Sequence, residues 1–141
     1  MTTNEIAPAV AARPGRALHV TLWVLQILLG VFLVVASALP KFAGQVDAVR
    51  TFDDIGLGQW FRYFTGVVEL AGGVGLMIPR LAGPAAVGLV GLMIGAIITQ
   101  ITVIGSPAWA LLPAAYLVIF VVIAKYRLPD AHPLLALVRG R

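Results

Sequence analysis

Glu69 is the residue whose type and position promise chemistry. It is the one charged residue between positions 63 and 79, and Gly66 and Gly73 flank it at helical spacing on one face. A carboxylate at the middle of a bilayer costs at least ~2.5 kcal/mol on insertion scales. Such a group is paired, protonated or functional. Lys41 is the foremost candidate partner, because its long stem lets the ammonium reach inward from the end of the preceding apolar stretch. Glu69 lies roughly 12 Å below the outer mouth of its helix, so Arg62, Ser37 and Gln100 are alternative partners. Lys41, Glu69, Ser37, Thr99 and Gln100 form the candidate pocket set, and Lys41, Glu69 and Gln100 are expected to converge on one outward-facing cavity. Two readings of the acid stay open. One is a structural ion pair or hydrogen bond that locks a bundle. The other is a polar pocket for a quinone, a proton or a small solute.

The elements that must position these groups are membrane helices. Hydrophobic residues make up 60% of the 141 residues and charged ones 11%, against about 25% charged in a soluble domain. Mean hydropathy is +0.99. So few charges cannot cover a globule, and lipid must cover part of it. The expected architecture is an all-α integral membrane protein, a four-helix transmembrane bundle with spans at 18–39, 61–78, 81–105 and 108–124. Pro40 is expected to end or kink the first span. Between spans one and two, Phe42, Val46, Val49 and Phe52 recur as one apolar stripe, which predicts a short amphipathic helix lying in the interface. Residues 1–17 and 128–141 read as cytoplasmic tails around a membrane domain at 18–127. Arg13, Arg16 and Ala36-Ser37-Ala38 imitate parts of a signal peptide, but the apolar run is too long for one, so the span is expected to stay uncleaved.

Orientation follows from the basic residues. Arg13, Arg16, Arg80, Lys125, Arg127, Arg139 and Arg141 fall on one side of the four spans; Lys41, Arg50 and Arg62 fall on the other. The positive-inside rule then places both termini in the cytoplasm. Small residues are expected to bring the helices together. Gly88, Gly91 and Gly95 share a face of span three and Gly66 and Gly73 a face of span two, so these two spans are expected to pack closely there. Gly91–Gly95 is also a candidate surface for a homo-oligomer. Gln26, nearer the inner half, reads as a hydrogen-bonding tie between helices.

Other chemistries are excluded or unsupported. The chain has no Cys, which removes thiol–disulfide exchange, cysteine-ligated clusters and thiolate metal sites. His19 and His132 are far apart and read as surface residues, and no metal is expected. The net charge of +4 is explained by topology, not by nucleic acid. Gly56-Leu57-Gly58-Gln59-Trp60-Phe61 begins like a dinucleotide-binding loop but ends in Phe and follows no strand.

Over residues 16–127 the chain resembles the DoxX family of small four-helix membrane proteins. The resemblance rests on Ala38-Leu39-Pro40-Lys41-Phe42, on Phe52 with Ile55-Gly56-Leu57, on Phe64 to Gly73 with its Gly-x-x-Glu-x-x-Gly-Gly core, and on Met93 to Gln100. It implies association with membrane redox systems, as a subunit of a quinone-linked oxidoreductase or a partner of oxidative-stress enzymes. Many members carry a His near the position of Gln100, and some carry glycines and an acid in span four where this chain has Pro113 and an apolar run.

The expected function is a non-catalytic subunit or anchor of a membrane redox complex in a bacterial cytoplasmic membrane, with oxidoreductase subunits as partners and a quinone as the candidate cofactor. A small proton-coupled transporter with Glu69 as the coupling group is the first alternative. A lipid-binding scaffold that docks a partner through residues 42–55 is the second.

Overall fold

The computed structural model describes residues 15–131 and 136–137. Most of the two expected tails, with Arg13, His132, Arg139 and Arg141, lies outside the described residues. All regular structure among the described residues is helical.

Helix α1 (Arg16–Phe32) runs into a π-helical stretch, Leu33–Ala38, and on into α2 (Leu39–Ala43). Together they make one rod, Arg16–Ala43. The first span therefore does not stop at Pro40. The widened turns explain why: the Leu39 N–H bonds Val34 five residues back, which relieves the clash a proline ring makes with the preceding turn. The rod ends at Gly44, whose φ of 70° favours glycine.

Helix α3 (Val46–Ile55) follows and closes at Gly56, with φ 77°. The expected single stripe from Phe42 to Phe52 is corrected here. Phe42 belongs to α2, the Gly44 turn changes direction, and on α3 Phe52 is buried while Val46 is exposed.

Helix α4 (Gln59–Leu76) and α5 (Ala82–Thr102) are joined by a short turn. A 3-10 turn, Pro107–Ala110, leads into α6 (Leu111–Arg127). Pro113 falls in the first turn of α6, where its missing N–H leaves no bond unmade.

The order of contacts makes the long helices antiparallel neighbours. From α1 and α2 to α4, Gly30 meets Gly73 and Lys41 meets Gly66; from α4 to α5, Gly72 meets Leu89 and Gly75 meets Ala85; from α5 to α6, Gly83 meets the Arg127 backbone. Leu22, Leu76, Leu89, Phe120 and Ile123, drawn from all four helices, are fully buried between them.

Close approach uses other glycines than the sequence suggested. A Cβ on Gly30 would lie 2.6 Å from the Gly73 carbonyl oxygen, and one on Gly72 would lie 2.6 Å from Leu89. A Cβ on Gly88, Gly91 or Gly95 would meet nothing within 4 Å. These three do not bring α4 and α5 together. The buried face of α5 is instead Ala82, Ala86, Leu89 and Met93, one helical stripe away.

Three helices, Arg16–Ala43, Ala82–Thr102 and Pro107–Arg127, are long and apolar enough to cross a membrane. Helix α4 carries Arg62 and Glu69, which lower its average hydropathy. Both are buried. The exposed residues of α4 are Trp60, Tyr63, Phe64, Val67, Leu70, Ala71 and Val74, without a charge among them.

Candidate functional site

Glu69 is one turn beyond Thr65 and Gly66 on the face of α4 that meets the end of the first rod. Gly66 lets that rod come close, since a Cβ there would lie 3.2 Å from the Phe42 ring and 3.5 Å from Lys41 Cβ. The π-helical stretch widens the turn that carries Ser37, just before Lys41.

Lys41 Nζ reaches down from this rod. It donates to Glu69 Oε1 at 3.1 Å, to the Ser37 carbonyl at 3.2 Å and to Ser37 Oγ at 3.2 Å. Glu69 Oε2 lies 2.9 Å from the same nitrogen. Both carboxylate oxygens of Glu69 thus face the ammonium, and Oε2 is buried against it. The Glu69 side chain is 9% exposed and that of Lys41 16%. The structure thus brings Lys41, Glu69 and Ser37 together.

Arg62 does not contact Glu69. Its Nε donates to Gln59 Oε1 at 2.6 Å, its other nitrogen to the Lys41 carbonyl, and its guanidinium stacks 4.4 Å from the centre of the Tyr63 ring. Gln59 in turn donates to Asp53 Oδ1 at 2.6 Å and to the Val49 carbonyl. This chain of bonds fastens α3 and the end of α2 to the start of α4. Arg62 is 5% exposed, and the sequence signal for it was the Gln59–Arg62 spacing in the first turn of a helix.

Lys41 and Glu69 stand at the polar floor of a cavity of about 760 Å³. Phe52 of α3, Phe61 and Phe64 of α4, and Gly88, Gly91 and Gly95 of α5 form its walls. The Phe61 and Phe64 rings are stacked, with centroids 6.1 Å apart and an interplanar angle of 15°. The three glycines are exposed, so the cavity opens sideways along α5. A second groove of about 420 Å³ continues it along α4 and α5, sharing Val68 and Gly88 and lined by apolar residues.

Thr99 and Gln100 line the same cavity, toward the far end of α5. Thr99 Oγ1 donates to the Gly95 carbonyl at 2.8 Å. The expected convergence of Lys41, Glu69 and Gln100 on one cavity is therefore met, with Gln100 further along α5. No group of His, Cys, Asp and Glu that could hold a metal ion occurs among the described residues.

A second polar cluster lies at the opposite end of the bundle. Gln26 is fully buried; its Nε2 donates to the Leu76 carbonyl at 2.9 Å, and its Oε1 accepts from Arg127 Nε at 2.7 Å. Arg127 also approaches His19 Nδ1 at 3.2 Å and lies over the Trp23 ring. In the sequence Arg127 counts only as one of the basic residues that set orientation. Its buried position was not legible, because its partner Gln26 is about a hundred residues away in the chain.

A family model now decides the relationship: that of the DoxX-like family matches residues 24–123. The chain belongs to the DoxX-like family. The match takes in Lys41, Glu69, the cavity walls and Gln26, while Arg127 lies just beyond it. Comparisons with curated proteins and with solved structures gave no match. This DoxX-like protein is therefore a membrane protein by family and by its apolar helices.

Proposed function

We propose that this DoxX-like protein crosses a bacterial cytoplasmic membrane four times, with both termini inside, and holds a quinone-type amphiphile as the non-catalytic subunit of a membrane redox complex. The observation that carries this reading is the cavity itself. It has an apolar wall, a sideways opening and a single ion pair, Lys41–Glu69, as its floor. Its volume lies within the roughly 300–1,000 Å³ of small-molecule sites. The groove shared through Val68 and Gly88 gives an apolar tail a path along α4 and α5.

The face of α4 supports a fourth span. Its charges are turned inward and its exposed residues are apolar or aromatic, so lipid can cover it. About 18 helical residues reach ~27 Å, close to the hydrocarbon thickness. Helix α3, with Asp47 and Thr51 at the cavity rim, would then lie at the outer interface. The transporter alternative draws on the same ion pair, and a liposome flux assay comparing wild type with Glu69→Gln separates it.

The test is purification in mild detergent followed by mass spectrometry of partners and extracted lipids. A quinone and an oxidoreductase subunit should co-purify with wild type, and Gly91→Phe should lose the quinone. Recovery of the protein alone, with the same lipid content in both forms, rejects the reading.

A further inference from the structure

We propose that the side-chain amide of Gln100 holds the head group of the cavity's ligand, donating an N–H to a ring carbonyl. The head then sits at the α3 end of the cavity, and the tail runs past the Lys41–Glu69 pair into the apolar groove. The inference rests on the cavity reading above and adds to it which residue recognises the ligand and which way round the ligand lies.

The donors that line the cavity carry the case. A quinone carbonyl accepts hydrogen bonds and donates none, so a side chain that recognises it must have a donor to spare. The three N–H groups of the Lys41 ammonium already face the Ser37 carbonyl, Ser37 Oγ and the Glu69 carboxylate. Thr65 donates its hydroxyl to the Arg62 carbonyl, Thr51 to the Asp47 carbonyl and Thr99 to the Gly95 carbonyl. The carboxylates of Asp47 and Glu69 only accept. Gln100 is the exception among the lining side chains. Its amide has two N–H donors and makes no hydrogen bond among the described residues. The side chain is half-buried, and both its amide atoms keep accessible surface. A polar group left unmatched in an apolar setting is costly, and a ligand carbonyl that reaches it removes that cost.

The position of Gln100 fixes the direction. Gly72 meets Leu89 and Gly75 meets Ala85 across the antiparallel pair α4 and α5. That register puts Gln100 near the level of Phe61, roughly 12 Å from the level of Glu69 along the helix axis. Phe61 stacks on Phe64 and meets Phe52 edge to face, with centroids 5.8 Å apart, so this part of the wall offers aromatic surface to a flat ring. The groove that shares Val68 and Gly88 with the cavity leads away from it, toward Gly75 and Leu81 at the other end of the bundle.

The probes are radiolabelled decyl-para-benzoquinone and decylbenzene, which share ring size and tail and differ in the carbonyls. Binding is measured to the protein in lipid nanodiscs, with empty nanodiscs subtracted. Wild type should bind the quinone about tenfold more tightly than decylbenzene. In Gln100→Met, which keeps the length of the side chain and removes its donors, the ratio should fall to about one while decylbenzene binds as before. Gln100 bonds no other side chain, so this variant should melt with wild type. Gly91→Phe, whose side chain enters open space, should lose both probes. The competing donors are the backbone N–H groups that open α3, where Asp47 and Ala48 line the cavity. A tenfold ratio that survives in Gln100→Met assigns the head to such a donor and overturns the inference, and the cavity reading stands. Equal binding of the two probes by wild type does the same. Binding of neither probe by wild type overturns both.

Discussion

Gly30 and Gly73 meet backbone to backbone: a Cβ on Gly73 would lie 2.8 Å from the Gly30 carbonyl oxygen. Neither helix can yield there without separating. Gly73→Ala should therefore destabilise the bundle by about 1–3 kcal/mol. Gly91→Ala and Gly95→Ala place a methyl where nothing stands within 4 Å, and better helix propensity should leave stability equal or raised by about 0.4–1 kcal/mol. Thermal unfolding of the purified protein in detergent checks this. Equal losses at Gly73 and Gly91 would mean that α5 packs through its glycine face after all.

The Lys41–Glu69 pair predicts a non-additive pattern. Lys41→Met or Glu69→Leu alone leaves a charge without its partner in a buried setting, which costs about 3–5 kcal/mol. The double variant removes both charges and should recover most of that loss. A double-mutant cycle on melting data reads the coupling directly. Additive losses would show that the two side chains do not depend on each other.

At the other end of the bundle, Gln26→Leu removes a donor to the Leu76 carbonyl and an acceptor for Arg127 Nε. The expected cost is about 1–3 kcal/mol. Quinone co-purification should stay at the wild-type level, since Gln26 is not among the cavity's lining residues. A variant that melts like wild type would show that water replaces Gln26 at both bonds.

Patterns that repeat along one helix were legible in the sequence. The long apolar runs located the rods, and an acid on a glycine face with a lysine upstream pointed to Lys41 and Glu69. What depends on the relative rotation of two helices was not. The small residues Gly88, Gly91 and Gly95 look like a packing face in one dimension, but Leu89 and Met93 turn that face away from the core. Pro40 reads as an end or a kink, and which of the two was not legible because the π-helical stretch before it leaves no signature in composition. Arg127 looked like a flanking charge because Gln26 and His19, which hold it, are remote in sequence.

The placement of Glu69 inside a bilayer depends on α4 crossing it, and the absence of cysteine from the chain makes that directly measurable. Arg50 on α3 and Arg80 in the turn before α5 are both exposed and lie at opposite ends of α4. In Arg50→Cys and Arg80→Cys, each a single-cysteine protein, a membrane-impermeant maleimide is applied to intact cells and then after permeabilisation. Four spans predict labelling at position 50 from outside and at position 80 only after permeabilisation. Labelling of both positions from the same side would contradict a membrane-crossing α4 and remove Glu69 from the bilayer.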